Sequence, residues 1–183
     1  LLKILTNTSP QIARWFLGFL TATRQEGLGA SSDVGLRGLA CVKTSMTNEC
    51  NYCTSHTSIY AQGLGYSEQQ IALMADDKYK YSEEFTAKEK LAIEWAEAVT
   101  LNKALHDGPL WDNLRELFSD AEIVEITLAS SMFNMINRLN DTFRSELETI
   151  DFNKKQWDAT GALPLDAQEA FASRFPEQKF TNK

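Results

Sequence analysis

The chain has 183 residues, of which 43% are hydrophobic, and a formal net charge of −7 at pH 7. This length suits one ordinary domain with a core of its own. An acidic chain lacks the basic surface that nucleic acids and anionic membranes attract, so we expect neither as a partner.

The first part of the chain predicts two helices. Ser9-Pro10 is a typical helix start, and Gly27-Leu28-Gly29 ends the run that follows. Large apolar residues recur between them at helical spacing, namely Ile12, Trp15, Phe16 and Phe19. This face is expected to be core, or a surface for a partner helix if it is exposed. Asp33 can cap the second helix, on which Cys41 is expected to be a small buried hydrophobe.

The next predicted helix carries the most reactive side chains. Asn48 is a good N-cap for a helix that begins near Cys50, so Cys50 and Cys53 would lie in its first turn. The free N–H groups and the dipole of a helix start stabilise a thiolate, which is the reactive form of cysteine. Cys53 and His56 are three residues apart and share one face, as in an activated cysteine. Cys50 is equally close to Cys53, so a disulfide between the two is plausible.

Three interpretations of this stretch remain open. A redox or nucleophilic pair is favoured over inert structural cysteines. A zinc site is less favoured because a closed site needs four ligands, and Cys41 and His106 form no second pair. A thioredoxin-like fold is not expected, since the motif has helical patterns on both sides.

The second half of the chain predicts further helices. Three capping boxes mark helix starts, at Ser67-x-x-Gln70, Thr86-x-x-Glu89 and Ser119-x-x-Glu122. His106 lies in a predicted loop, where a capping or solvent-exposed role is expected rather than a catalytic one. The segment 123–136 is apolar almost all round and predicts a buried helix. A polar stripe follows on that helix, which is either a solvated face or a surface that closes the site or a subunit contact; it consists of Asn134, Asn137, Arg138 and Asp141.

The pattern weakens after Glu148. Residues 151–165 predict a loop anchored by Trp157, and Asp166 can cap a short helix that ends by Phe175. No β-alternation of useful length occurs, so we predict an all-α fold in a single domain, residues 1–183, with a core of about 10–150 and a C-terminal extension of about 151–183. Three cysteines without disulfide-rich spacing, no apolar membrane span and no signal-peptide pattern favour a cytoplasmic location.

The cysteine motif resembles a known family. Cys50-x-Tyr52-Cys53 followed by His56-Thr57 is similar to the signature of the carboxymuconolactone decarboxylase superfamily, in its AhpD-like alkylhydroperoxidase, or peroxidase-related, branch. Leu39-Ala40, the block 118–125 and the block 137–140 also resemble segments of that branch. The similarity extends over about residues 10–150, and it implies an AhpD-like helical bundle.

The resemblance also implies a function. Cys53 would attack a hydroperoxide, Cys50 would close a disulfide with it, and His56 would carry the proton, which is peroxiredoxin activity. An external dithiol or a protein reductant would reset the pair. No metal and no organic cofactor are implied. A homo-oligomer, whether dimer, trimer or hexamer, is expected with the cysteine helix near a subunit boundary.

Two positions depart from the family pattern. Many members carry the histidine four residues after the second cysteine, where this chain has Thr57. AhpD-like enzymes usually carry a relay glutamate twelve residues before the first cysteine, where this chain has Gly38. Three other carboxylates are candidates to replace it, namely Glu49, Glu89 and Glu125. The glycine favours an alternative, a non-enzymatic oligomeric redox-sensing or binding protein. The cysteine pair counts against a further alternative, a carboxymuconolactone-decarboxylase-type lyase.

Overall fold

A computed structural model describes residues 1–147, and this range contains no β-strand. The all-α prediction is confirmed. The helices are α1 (Leu2–Thr8), α2 (Pro10–Arg24), α3 (Val34–Thr47), α4 (Asn51–Gly63), α5 (Glu68–Ala75), α6 (Ala87–Thr100), α7 (Gly108–Leu117) and α8 (Asp120–Thr142), with short 3-10 turns at Lys78–Tyr81 and Ala104–His106. The predicted loop around Trp157 and the helix from Asp166 lie outside the described residues.

Most helix starts lie where the sequence predicts them. The Ser67, Thr86 and Ser119 hydroxyls each accept a hydrogen bond from the backbone N–H three residues on, and all three capping boxes are complete. Asp33 caps α3 by accepting from Gly35 N at 2.7 Å. These side chains satisfy N–H groups that have no partner within the helix, which fixes where each helix begins. Helix α1 has no side-chain cap and no buried residue, so the sequence gives no signal for it.

Helix α3 is the centre of the fold. It packs against α2, α4, α5, α6 and α8, and every residue from Gly35 to Ser45 is buried. Two of these residues are charged, and both have polar partners. Arg37 Nε donates to Thr23 O at 2.7 Å, and Lys43 Nζ donates to Asp77 Oδ1 at 2.8 Å. Burial of a charge is tolerated where hydrogen bonds replace its water.

Two helices keep apolar residues at the surface. Helix α8 buries Ile123, Ile126 and Ile136, but the side chain of Val124 is 56% exposed. The prediction of burial on all sides is therefore wrong for this single chain, because only one side of α8 packs against α3 and α6. On α2, Trp15 is 78% exposed. Within residues 1–147, no helix is long and apolar enough to cross a membrane.

Candidate functional site

The two cysteines of helix α4 are joined in a disulfide. Cys50 is the N-cap residue and Cys53 lies in the first turn, with their Cα atoms 5.3 Å apart. The prediction that Asn48 caps this helix is wrong, because Asn48 ends α3 in a helical conformation. Only Glu49, with a φ of 56°, separates Asn48 from Cys50. This tight connection places the disulfide directly against the end of the central helix.

The side chain of Asn48 ties this connection to α8. Its Nδ2 donates to Asn134 Oδ1 at 2.9 Å and to Asn137 Oδ1 at 2.8 Å, while Asn137 Nδ2 donates to Ser45 Oγ at 3.3 Å. Asn137 is 1% exposed. The interpretation of the polar stripe as a solvated face is therefore wrong for Asn137. Amides that bond one another in a buried site have few alternative partners, so this network fixes α8 against the cysteine motif.

A second amide from α8 contacts the sulfur of Cys53. Asn140 Nδ2 donates to Cys53 Sγ at 3.4 Å and to Ile136 O at 3.2 Å, and its Oδ1 accepts from Ser145 Oγ at 2.8 Å. The carbonyl of Ile136 can only accept, so the NH2 group must face Cys53. In the reduced protein this N–H would stabilise a Cys53 thiolate more strongly than the neutral thiol.

His56 is held in a defined orientation. Its ring stacks on the ring of Tyr52, with centroids 4.1 Å apart and an interplanar angle of 27°. Its Nδ1 lies 2.8 Å from the carbonyl oxygen of Tyr52. Because a carbonyl only accepts, Nδ1 carries the hydrogen and Nε2 carries the lone pair of the neutral ring. Nε2 is then the atom that can accept a proton.

Cys53 and His56 line one cavity of about 250 Å³, and Cys50 does not. Tyr52, Thr57 and Asn140 line it as well. Within residues 1–147, the rest of the lining is apolar side chains and two cations, namely Leu1, Leu2, Lys3, Phe16, Leu20, Arg24, Phe133 and Ile136. A small molecule that enters this cavity therefore meets Cys53 rather than its partner sulfur.

Arg24 is fixed on two aromatic rings. Its guanidinium carbon lies 3.8 Å from the centroid of the Tyr60 ring and 5.4 Å from that of Phe133. Its Nε and Nη2 atoms are inaccessible to solvent. Burial lowers the pKa of Arg24, while Cys41 and Tyr60 act in the opposite direction. Tyr60 also donates a hydrogen bond to the backbone carbonyl of Arg24, which anchors the end of α2.

None of the proposed replacements for the relay glutamate reaches the cavity lining. Glu125 accepts hydrogen bonds from Ser31 N and Ser32 N, at 2.9 Å and 2.7 Å. Glu89 completes the capping box of α6 and accepts from Tyr66. Glu49 is exposed. Among residues 1–147, the cavity lining contains no acidic side chain.

The third cysteine and the second histidine lie away from this arrangement. Cys41 is free and fully buried, as predicted, and burial raises its pKa to about 12. Such a thiol is inert at neutral pH. His106 is exposed in the turn before α7. Within the described part of the chain, no group of three or more His, Cys, Asp and Glu residues is arranged to hold a metal ion.

The fold matches solved structures. A protein of unknown function from Agrobacterium tumefaciens, assigned provisionally to the antioxidant defence protein AhpD, superposes with a TM-score of 0.69 at 26% identity, over 79% of this chain and 95% of that one. The chain is AhpD-like. This confirms the resemblance to the AhpD-like branch of the carboxymuconolactone decarboxylase superfamily.

Other comparisons give the same AhpD-like fold. An uncharacterized peroxidase-related protein from Silicibacter sp. TM1040 matches with a TM-score of 0.68 at 18% identity, over 79% of this chain and 74% of that one. An alkylhydroperoxidase AhpD core protein from Ralstonia eutropha JMP134, also peroxidase-related and uncharacterized, matches with a TM-score of 0.61 at 20% identity, over 87% and 79%. At these identities the likeness shows the fold alone.

Two curated relatives of this AhpD-like chain have no described activity. The uncharacterized protein YdfG of Bacillus subtilis is 26% identical over 57% of this chain and 70% of its own length. The uncharacterized protein YnjA of Escherichia coli is 28% identical over 68% of this chain, and the match spans 65% of the relative. No family model matches the chain.

The structure adds two residues that the sequence does not identify as site residues. Asn140 falls in the block 137–140 that resembles the AhpD-like branch, but its contact with Cys53 joins positions 87 apart. Nothing in the sequence marks Arg24 as a site residue, because an arginine in the last turn of a helix is ordinarily explained by the helix dipole.

Proposed function

We propose that the chain is a thiol-dependent hydroperoxide reductase that uses Cys53 and Cys50 as a redox pair and His56 as a proton carrier. One observation carries the proposal: Cys53 lines the same cavity as His56, and Cys53 is bonded to Cys50. A reactive thiol at a cavity, with a base beside it and a second thiol behind it, is what two-cysteine peroxide reduction requires.

The first step oxidises Cys53. Its thiolate attacks one oxygen of the hydroperoxide ROOH, so an S–O bond forms and the O–O bond breaks. The alkoxide leaves with the electron pair and takes a proton from protonated His56, which gives an alcohol. Cys53 becomes a sulfenic acid and the peroxide is reduced by two electrons. His56 gains that proton when it deprotonates the thiol through Nε2.

The next steps close and reopen the disulfide. The thiolate of Cys50 attacks the sulfur of Cys53, an S–S bond forms, and hydroxide leaves and is protonated to water. An external dithiol then reduces the disulfide by two exchange reactions and leaves as its own disulfide. A reducing compartment such as the cytoplasm would supply that dithiol.

Three features support a thiolate at Cys53. The thiol lies in the first turn of α4, where the helix dipole favours a negative charge. The N–H of Asn140 points at the sulfur, and His56 lines the same cavity. Gly38 stands where the relay glutamate of AhpD-like enzymes is expected, and no cavity-lining residue within 1–147 is acidic. Acid–base assistance is typically worth about a hundredfold or more, so loss of that relay would slow turnover.

Peroxide consumption with dithiothreitol as the reductant tests the proposal. The wild-type chain should consume cumene hydroperoxide catalytically, and Cys53→Ser should abolish this. After removal of dithiothreitol, reduced Cys50→Ser should consume one equivalent and then stop. Cys41→Ala, which changes a buried thiol away from the cavity, is the matched control and should retain turnover. If the folded wild-type chain consumes no more peroxide than Cys53→Ser, the proposal is wrong.

A redox-sensing role is the second candidate, favoured by the lack of an acidic side chain in the cavity lining within residues 1–147. A sensor needs only one oxidation and a slow reset. It is distinguished by stoichiometric disulfide formation with peroxide but no sustained consumption with dithiothreitol.

A further inference from the structure

Both sulfurs of the disulfide are closed off from outside molecules. Cys50 is fully buried and Cys53 is only 2% exposed. A thiol that reduces the disulfide must bring its own sulfur into contact with one of these two atoms. The hydroperoxide of the proposed reaction must reach Cys53 as well. Part of the cavity wall therefore has to move before either molecule can react.

Three of the four parts of the described cavity wall are firmly attached. The lining residues within 1–147 come from the segment 1–3 and from helices α2, α4 and α8. Helices α4 and α8 pack on the central helix α3 and on each other. The end of α2 is fixed at two backbone carbonyls, since Thr23 O accepts from buried Arg37 and Arg24 O accepts from Tyr60. Moving any of these three helices would break contacts with α3 or its neighbours.

Helix α1 and the residue before it are attached more weakly. This helix has no buried residue, and in the described part of the chain it packs mainly against α2. The hydroxyls of Thr6 and Thr8 donate hydrogen bonds to the backbone of α1 itself. Leu1 is half-buried against the core, and Leu2 is 41% exposed. Little apolar surface thus holds α1 at the cavity, so its undocking costs little free energy.

A single residue joins α1 to α2. Ser9 ends α1 and directly precedes Pro10, the first residue of α2, with a φ of −142° and a ψ of 63°. Its side chain makes no capping hydrogen bond to α2. Because proline lacks an N–H, the hydrogen bonds of α1 cannot continue into α2. A rotation at Ser9 would therefore swing α1 away and leave α2 in place, as at other hinges formed by residues at the end of an element.

We infer that α1 is a lid on the cavity, hinged at Ser9, and that its opening admits outside molecules to Cys53. An isolated helix of seven residues is not stable in water, so α1 unfolds when it leaves the cavity. Minor open states of this kind are typically populated at about 0.1–10%. Admission of the hydroperoxide rests on the proposed function. Admission of a dithiol does not, because reduction of the disulfide needs no peroxide.

Two rates measured on the oxidised chain test the lid. The first is the rate of disulfide reduction by dithiothreitol, followed by thiol release. The second is the rate of amide hydrogen exchange in α1, whose amides lose their hydrogen bonds in the open state. The double variant Leu1→Ser, Leu2→Ser removes the apolar contacts of the lid, so both rates should rise by the same factor, about tenfold. The factor is common because each rate is proportional to the open fraction.

Asn7→Ser is the matched control, because it introduces the same residue at an exposed position of α1 outside the cavity lining. It should leave both rates at their wild-type values. Amides of α3 should exchange at the wild-type rate in every variant, which shows that the whole fold is not loosened. An increase of only one rate in the double variant, or of neither, would overturn the lid.

Peroxide consumption separates the lid from the proposed function. If the two rates rise together and the wild-type chain consumes no peroxide, the proposed function fails and the lid stands. If peroxide is consumed and the two rates do not rise together, the lid is wrong and the proposed function stands.

Discussion

The side-chain amide of Asn140 donates a hydrogen bond to the sulfur of Cys53, although the two residues lie 87 positions apart on different helices. The contact depends on the packing of α8 against α4. It gives α8 a direct influence on the charge state of the thiol that we propose attacks peroxide.

Replacing Asn140 with aspartate should slow the reaction of Cys53. A carboxylate beside the sulfur repels a thiolate, raises the pKa of Cys53 and lowers the thiolate fraction at neutral pH. One unit of pKa corresponds to about a tenfold loss of rate on the acid side of the profile. The pH dependence of iodoacetamide reaction with the reduced chain measures this. Asn102→Asp, which adds the same charge at an exposed turn, should leave the profile unchanged. A folded Asn140→Asp variant with the wild-type profile would contradict the role of the amide.

Restoring a carboxylate at position 38 should accelerate peroxide reduction, but only if room is made for it. A Cβ on Gly38 would lie 2.7 Å from Leu64 Cδ1 and 3.5 Å from Tyr60 Cε1. Gly38→Glu alone should therefore lower the free energy of unfolding, by about 1–3 kcal/mol. With Leu64→Ala to remove the close contact, the double variant should fold and turn over faster than Leu64→Ala alone.

The matched control for this experiment is Gly38→Gln with Leu64→Ala, which has the same size and no charge. Steady-state peroxide consumption between pH 5.5 and 8.5, a range of about one and a half units on each side of neutrality, resolves the effect of the charge. The glutamine and glutamate variants would show identical profiles if His56 needs no carboxylate.

Loss of the charge at Asp77 should destabilise the fold at neutral pH. The hydrogen bond and the charge of buried Lys43 lower the pKa of Asp77. A carboxyl whose folded pKa is lowered stabilises the fold above its unfolded pKa, and this contribution disappears as the pH falls through the folded value. Asp77→Asn should lower the free energy of unfolding at pH 7 by only about 1 kcal/mol, because Lys43 keeps its contacts with Met74 O and Glu97. The difference from the wild type should shrink below about pH 4.

Urea unfolding at neutral and acidic pH measures this dependence. Asparagine tolerates the positive φ of 57° at this position, so the change adds no backbone strain. The control is Asp76→Asn, which removes the neighbouring charge. Asp76 pairs with exposed Lys78, so this change should lower the free energy of unfolding by less than about 0.5 kcal/mol. If Asp77→Asn lowered the free energy of unfolding by the same amount at neutral and acidic pH, the charge of Asp77 would not be the cause of the lost stability.

We predict that the exposed apolar face of α2 is buried in a contact between copies of the chain in a homo-oligomer. Ile12, Trp15 and Phe19 are all exposed on this helix, and contiguous apolar surface of this kind favours association. Light scattering at micromolar concentration should give a mass above that of one chain. Trp15→Glu should shift it toward the monomer, while Arg14→Gln, beside it on the same helix, should not. A monomeric wild-type chain would refute this prediction.

The sequence predicts local features of this protein well and long-range ones poorly. Capping boxes such as Ser119-x-x-Glu122 depend on residues within one helical turn, so the start of α8 is readable directly. The cysteine motif is equally local, and its resemblance to the AhpD-like branch gives the fold. The prediction that Asn48 caps α4 is wrong because its side chain bonds Asn134 and Asn137, which belong to a helix far away in the sequence. The roles of Arg24 and Asn140 depend on tertiary packing and have no local pattern.

Trapping of the first oxidation product tests the central claim most directly. The reduced Cys50→Ser chain is treated with one equivalent of cumene hydroperoxide in the presence of dimedone, and its peptides are mapped by mass spectrometry. We predict a dimedone adduct on Cys53, which shows a sulfenic acid at the cavity, and no adduct on Cys41, whose pKa of about 12 keeps it protonated. The wild-type chain should instead give a Cys50–Cys53 disulfide without an adduct. An unmodified Cys53 in folded Cys50→Ser, or an adduct on Cys41 alone, would contradict the account.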